Sequence, residues 1–179
     1  MRFYLDTEFW EDGPSRPIQL ISLSLVSEVG DELYLINEDF DWGKCTSQWL
    51  IDNVLTEINR SEGSRLPFSQ LGAAVANWVW RTSAGKPPQF WGYYADYDWV
   101  VFCQIFSSML NLPEGFPKFC MDIKQLCMML GNPTLPKQGV GEHNALQDAR
   151  WNRHAWEFLA MIAAGRIREL ILSFMYGDS

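Results

Sequence analysis

The stretch FYLDTEFWEDG, residues 3–13, begins as a core strand and then carries two acids out of it. The first three residues are aromatic or aliphatic, which predicts a strand, and Asp6 and Glu8 follow. Side chains at i and i+2 of a strand point to one face, about 6.6 Å apart along the strand. Burying charge costs several kcal/mol unless something compensates for it. The pair therefore either shares a cation or meets an arginine or solvent at the strand end.

Hydrophobic patterning along the rest of the chain predicts a mixed α/β fold. Strands at residues 2–6, 18–26 and 32–36 are separated by turn signals, which indicates an antiparallel meander, with 18–26 largely apolar on one face. Helices at 46–59, 69–85, 97–110, 122–131, 144–165 and 166–175 follow, with one more strand at 89–93. This order indicates antiparallel and parallel strands in one sheet flanked by helices. We expect a single domain over residues 1–179.

Composition indicates a protein without a membrane span or secretory signal. The 179 residues are 47% hydrophobic, enough for a full-sized core, and no run of about 18 apolar residues occurs. The four cysteines form no C-x-x-C pair, and with two histidines a structural zinc site is not expected. Reduced thiols in a cytoplasm are the plain interpretation.

The net charge of −8 argues against non-specific binding to nucleic acid, which normally relies on clustered lysine and arginine. The 14 basic residues are scattered along the chain. If the partner is a polyanion, divalent cations would have to supply positive charge at the contact.

A second pair of acids, Asp96 and Asp98, follows the aromatic segment QFWGYY and opens the next helix. Acids in a first helical turn are favoured by the helix dipole, and Asp96 is well placed as an N-cap. Either acid can instead project from the strand end toward Asp6. The residues alone leave both roles open.

The third stretch is GEHNALQDARWN, residues 141–152. Asn144 with Gln147 three places later is a variant of the capping box, which predicts a helix start and puts Asp148 in its second turn. His143, just outside that helix, is well placed for proton transfer because its unperturbed pKa is about 6.5. A surface role beside the cap is the alternative for His143, and His154 is assigned to structure.

Taken together, the three stretches favour a metal site. Each lies at the beginning or end of a core element, where sites usually form in α/β folds. Four carboxylates brought together would repel one another and take up protons unless divalent cations lay among them. The same acid-x-acid spacing at Asp39 and Asp41 lies in a polar loop, and we predict solvated surface there.

These residues resemble the motifs of a known family. Asp6-Thr7-Glu8, the pair Tyr97-Asp98, and His143-x-Ala145-x-x-Asp148 resemble the three motifs of the DEDDh 3′-to-5′ exonucleases. Order and spacing agree across nearly the whole chain. In the family the second acid follows an aromatic residue, which selects Asp98 over Asp96, while Tyr94 stands near the place of a usual asparagine. The block DTEFWEDG with the strands that follow resembles more narrowly the polyadenylate-specific exoribonuclease AS subgroup.

The resemblance implies a ribonuclease H-like fold and two-metal hydrolysis. Asp6 would bridge two Mg²⁺ or Mn²⁺ ions. Glu8 and Asp148 would complete one site, and Asp98 would hold the second ion largely through water. His143 would be the general base. The implied activity is 3′-to-5′ exoribonuclease action on single-stranded RNA, releasing nucleoside 5′-monophosphates, with a preference for A-rich or polyadenylate tails as its finer form.

Five further residues are candidate substrate contacts. Phe9 and Trp10 are candidate stacking surfaces for the terminal base, worth about 1–3 kcal/mol per base, with core packing as the alternative. Lys137 is a candidate phosphate contact. Thr7 and Tyr97, inside the matched motifs, complete the set. The aromatic surplus and the family both indicate a homodimer.

The sequence leaves two alternative functions open. A 3′-to-5′ exodeoxyribonuclease would use the same residues, because RNA and DNA are told apart by contacts to the 2′-OH that no motif here announces. A non-catalytic nucleic-acid-binding module of the same fold is the other alternative. The presence of all five catalytic candidates speaks against it.

Overall fold

The computed structural model describes residues 1–14, 16–139 and 143–176. Six strands form one sheet in the order β4-β3-β2-β1-β5-β6. They are β1 (Arg2–Trp10), β2 (Gln19–Ser27), β3 (Glu32–Asn37), β4 (Ser64–Leu66), β5 (Gln89–Gly92) and β6 (Met121–Asp122). β1 to β3 are an antiparallel meander, and β4, β5 and β6 each join in parallel pairs. The predicted mixed sheet is confirmed.

Six α-helices are described around this sheet. They are α1 (Gln48–Leu50), α2 (Thr56–Arg60), α3 (Phe68–Thr82), α4 (Asp96–Gln104), α5 (Ile123–Met129) and α6 (Ala145–Tyr176). A π-helical turn at Ile51–Leu55 joins α1 to α2, so the two make one helical segment. Ser47 caps α1, its hydroxyl accepting the N–H of Leu50.

Several element boundaries differ from the sequence prediction. Helix α3 begins at Phe68 rather than at residue 69, and the Phe68 N–H donates to the exposed Asp39 carboxylate at 2.9 Å. Helix α4 ends at Gln104 rather than near residue 110. The predicted break at Gly165 is wrong, since α6 runs through it, and a glycine inside a helix costs only about 1 kcal/mol relative to alanine. β4 and β6 are too short to carry a readable alternation.

Both faces of the sheet are covered by helices, and the alternation of β1 divides its side chains between them. Phe3 and Leu5 pack with residues of α3 and α4 in one core cluster. Tyr4 packs with residues of α5 and α6 in another. The same covering buries nearly every residue of β2, which was predicted to be apolar on one face only. Alternation therefore directs Asp6 and Glu8 toward α6, and Thr7 toward α4.

A third cluster covers the end of β1 beneath α1 and α2. It contains Trp10, Ile21, Ile36, Phe40, Cys45, Leu50, Val54 and Ile58. Across the described part of the chain, no helix combines the length and the apolar character that crossing a bilayer requires.

Candidate active site

Three carboxylates converge where β1 meets the first turns of α6. Asp6 and Glu8 come from β1, and Asp148 comes from α6. Each offers an oxygen within 4.8 Å of the oxygens of the other two. Two acids adjacent on one strand face and one acid from a distant helix are thus brought to a single point.

Asp98 approaches the same strand from the opposite face of the sheet. It lies in the first turn of α4 and is 8% exposed. Its Oδ1 accepts the Thr7 hydroxyl at 2.6 Å and the Thr7 backbone N–H at 2.8 Å. Asp96 points elsewhere: it is exposed, and Ala95, not Asp96, is the N-cap residue. Asp98 therefore contacts β1 and Asp96 does not cap α4, so the N-cap role considered for Asp96 is wrong.

Burial and mutual repulsion raise the pKa of the acids at this point. Desolvation, followed by the charges of Asp98, Glu8 and Asp148, holds the pKa of Asp6 well above its usual range. Desolvation and the same kind of repulsion raise the pKa of Glu8 to about 8. Burial raises the pKa of Asp98 to about 6, against the opposing hydrogen bonds from Thr7. Without cations these groups are driven toward their protonated forms.

The donor set fits a divalent cation such as Mg²⁺ or Mn²⁺. Carboxylate oxygens are the ligands that these hard ions prefer. Within the described residues, no lysine or arginine forms a salt bridge with Asp6, Glu8 or Asp98. Asp6, Glu8 and Asp98 are thus not neutralised by a lysine or arginine salt bridge in the part of the chain that the structure describes.

His143 stands beside this cluster at the entry to α6. Its backbone N–H donates to Asp148 Oδ2 at 3.2 Å, and its φ of +70° makes a left-handed turn into the helix. Its ring packs edge-on against Trp49, with centroids 4.6 Å apart. Asn144 caps α6 as predicted, because its side-chain oxygen accepts the N–H groups of Leu146 and Gln147. Residues 140–142, just before His143, lie outside the described residues.

Three polar or aromatic contacts were not identified from sequence. Gln138 donates its amide to Asp148 Oδ1, and Trp49 carries the ring of His143. Asn152, which is 1% exposed, donates to the Leu5 carbonyl at 2.8 Å. The sequence did contain a signal that Asn152 lies near the acids, since Asn152 follows Asp148 by one helical turn and so lies on the same helix face. No sequence pattern linked Trp49 or Gln138 to the acids.

The aromatic candidates divide into surface and core. Phe9 and Tyr97 stack at 5.6 Å with an interplanar angle of 12°, and Tyr97 is 51% exposed. Trp10 is 2% exposed and packs edge-on against Phe40. The Arg16 guanidinium lies 5.5 Å from the Trp10 ring centroid. Trp10 therefore offers no open face to a base, and its predicted stacking role is wrong.

Two further candidates are placed by their surroundings. Lys137 is exposed in the loop before α6, next to the Gln138 that contacts Asp148. Thr7 is 5% exposed, and its hydroxyl is turned inward to Asp98. The structure thus puts Lys137 near the cluster with its side chain in solvent, while the Thr7 hydroxyl makes a buried contact within the protein.

Comparison with known proteins identifies the family. A family model described as the 3′-5′ exoribonuclease Rv2179c-like domain matches residues 1–160. The chain belongs to this family. It is also similar to the 3′-5′ exoribonuclease Rv2179c of Mycobacterium tuberculosis, at 32% identity over 150 residues covering 84% of this chain and 88% of that protein. The chain is a nuclease of the 3′-5′ exoribonuclease type, and the predicted enzyme class is confirmed.

Solved structures support the fold of this family member. The nuclease domain of 3′hExo, a DEDDh family member determined bound to rAMP, aligns with a TM-score of 0.55 over 92% of both chains at 13% identity. Cell-death related nuclease 4 aligns with a TM-score of 0.51 over 92% of this chain and 64% of that chain, also at 13% identity. The predicted ribonuclease H-like sheet flanked by helices is confirmed.

Proposed function

We propose that this exoribonuclease removes nucleoside 5′-monophosphates from single-stranded RNA 3′ ends by hydrolysis that depends on two divalent cations. The side chains proposed to hold the cations are the four carboxylates Asp6, Glu8, Asp98 and Asp148. When bound, Mg²⁺ or Mn²⁺ activates water and stabilises the charge that develops on the phosphate oxygens. The remaining chemistry is assigned to side chains of this protein.

The observation that carries the proposal is the convergence of Asp6, Glu8 and Asp148 within 4.8 Å. Two unit charges at that separation repel by about 3.5 kcal/mol at an effective dielectric constant of 20. Without a cation, the acids must either keep this repulsion or take up protons. Because the oxygens already converge, a cation would replace repulsion with attraction without moving the backbone elements.

His143 is the proposed general base. Its backbone is held at Asp148, so the ring belongs to the same local structure as the acids. The contact with Trp49 restricts the orientation of that ring. In this role His143 accepts the proton of the attacking water at an imidazole nitrogen, which general-base catalysis requires.

The Phe9–Tyr97 pair is the proposed platform for the terminal base. The two rings are already stacked, and Tyr97 is half exposed, so a base can add to the stack. Base–aromatic stacking is worth about 1–3 kcal/mol and tolerates any base. Lys137 is the proposed phosphate contact, because its exposed side chain stands in the loop that reaches Asp148.

The test is digestion of 5′-labelled oligo(A), oligo(U) and oligo(dA) with Mg²⁺, with Mn²⁺ or with EDTA. We expect ladders that shorten from the 3′ end on the RNA substrates only when metal is present. Asp98→Ala and His143→Ala should abolish the ladder. The matched controls Asp96→Ala and His154→Ala, both exposed, should retain it. Full activity in EDTA, or in both active-site variants, would contradict the proposal.

The same assay addresses finer assignments. Faster digestion of oligo(A) than of oligo(U) would support the polyadenylate-specific subgroup indicated by the DTEFWEDG block. Equal digestion of oligo(dA) and oligo(A) would favour an exonuclease that also accepts DNA. A homodimer and a cytoplasmic location stay predictions. Size-exclusion chromatography with light scattering gives the molar mass of the protein and so tests for the homodimer.

A further inference from the structure

We propose that Thr7 is a positioning residue that fixes the Asp98 carboxylate in the orientation needed to hold a cation. This inference rests on the proposed function, since it assigns Asp98 to a cation site. From sequence, Thr7 is a candidate substrate contact. The structure instead supports a role that acts through Asp98.

Two donors of Thr7 converge on one oxygen of Asp98. The Thr7 hydroxyl lies 2.6 Å from Asp98 Oδ1, and the Thr7 backbone N–H lies 2.8 Å from the same atom. Short O–H···O⁻ contacts of this kind are roughly twice as strong as neutral hydrogen bonds. Two bonds from different directions fix both the position of Oδ1 and the rotation of the carboxylate about its Cβ–Cγ bond.

The position of Thr7 in β1 explains why it can do this. It lies between Asp6 and Glu8, so alternation directs its side chain to the opposite face, where α4 packs. Both partners are almost fully buried, Thr7 at 5% and Asp98 at 8% exposed. Water therefore does not compete for Oδ1. The strand that carries Asp6 and Glu8 thus also fixes the position of the Asp98 carboxylate.

The N-cap residue of helix α4 is Ala95, whose backbone N–H donates to Asp122 Oδ2 at 2.9 Å. That bond holds the helix start to the end of β6 and does not involve the Asp98 carboxylate, while Asp96 and Tyr97 are exposed. The bonds from Thr7 are thus the direct link between the Asp98 carboxylate and the strand bearing Asp6 and Glu8. Replacing a residue that orients a metal ligand in this way typically lowers the affinity for the metal by about 10–100-fold.

Threonine supplies a hydroxyl that the other β-branched residues, valine and isoleucine, lack. Thr7→Val keeps the shape and the backbone N–H bond but removes the hydroxyl bond. Thr7→Ser keeps both bonds. Because the Thr7 hydroxyl is turned to Asp98, on the sheet face opposite to Asp6 and Glu8, neither change touches the cluster of three acids directly.

The experiment is a Mn²⁺ titration of the full-length chain followed by electron paramagnetic resonance of the free ion. We expect wild-type protein to bind two Mn²⁺ ions. In Thr7→Val, one binding step should weaken by about 10–100-fold while the other is unchanged. Thr7→Ser should bind both ions as the wild type does. In the RNA assay, Thr7→Val should lower kcat, leave KM for RNA unchanged and recover with added Mn²⁺.

The outcomes separate this inference from the proposed function. A wild-type chain that binds no Mn²⁺ would overturn the proposed function. Normal two-ion binding in Thr7→Val, alongside a wild type that behaves as expected, would overturn only the role of Thr7. Thermal unfolding checks each variant. If Thr7→Val and Thr7→Ala both failed to fold, Thr7 would be a stability element, and the positioning role would be rejected.

Discussion

The side-chain amide of Asn152 donates a hydrogen bond to the backbone carbonyl of Leu5 across 147 residues of sequence, at 2.8 Å. Leu5 directly precedes Asp6 on β1, and Asn152 follows Asp148 by one turn of α6. The bond therefore joins the two elements that carry the acid cluster, one residue and one helical turn away from the acids themselves. It sets how closely α6 approaches β1 at this point.

We expect Asn152→Ala to destabilise the protein by about 1–3 kcal/mol, because it leaves the buried Leu5 carbonyl without its side-chain donor. Urea denaturation measures this change. The control is Asn59→Ala at an exposed position of α2, which should fall within about 0.5 kcal/mol of the wild type. If the two variants lost the same stability, the bond would not hold α6 to β1.

The raised pKa values predict how stability depends on pH. The pKa of Glu8 is raised to about 8 and that of Asp98 to about 6, so between about pH 4.5 and these values the folded state binds protons that the unfolded state has lost. Stability without metal should therefore fall as pH rises from 5 to 8. The limit is about 1.4 kcal/mol per pH unit for each group that differs in protonation.

The measurement is urea denaturation at several pH values in EDTA and in Mg²⁺. Glu8→Gln removes one titrating group, so its curve in EDTA should be flatter, most clearly between pH 6 and 8. Mg²⁺ should stabilise the protein more at pH 8 than at pH 5, because a carboxylate must be deprotonated to bind it. Stability in EDTA that rose from pH 5 to pH 8 would contradict the assigned protonation.

Trp10 and Tyr97 should respond in opposite ways to truncation. Trp10 is in the core, so Trp10→Ala should cost about 3–5 kcal/mol in the free energy of unfolding. Tyr97 is half exposed, so Tyr97→Ala should change stability little and raise KM for RNA by removing part of the base platform. Urea denaturation and RNA kinetics on both variants check this. An unchanged KM in Tyr97→Ala would contradict the proposed role of the Phe9–Tyr97 pair in binding the terminal base.

The contrast between Phe9 and Trp10 shows what sequence could predict about the site. Local patterning gave the strand that bears Asp6 and Glu8, and adjacent residues of a strand must face opposite sides. It did not show that α1 and α2 would fold over the side that Trp10 faces. That depends on a packing between distant segments, which no local pattern encodes. The contacts of Trp49 and Gln138 were missed for the same reason.

Predictions that rested on a single local signal were right at some positions and wrong at others. Asn144 caps α6, since a cap needs only its own helix. Asp96 had an equally good local signal for capping α4, but Asp122 from the neighbouring strand end accepts the N–H of Ala95 there at 2.9 Å. The glycine at 165 was a reasonable stop signal, yet α6 continues through it. Tertiary contacts and helix continuity therefore decided the boundaries.

Trp49 should affect catalysis without affecting stability. Its ring is half exposed and packs edge-on against His143, with centroids 4.6 Å apart. Such pairs are worth about 0.5–1.5 kcal/mol, so losing the contact would let the imidazole leave its orientation and lower kcat by about 2- to 10-fold. We expect this loss in Trp49→Ala and recovery in Trp49→Phe, with unchanged unfolding in both. RNA binding supplies the decisive comparison: in EDTA, where we expect no cleavage, Trp49→Ala should bind oligo(A) as tightly as the wild type. Weaker binding in Trp49→Ala would mean that Trp49 acts on RNA directly.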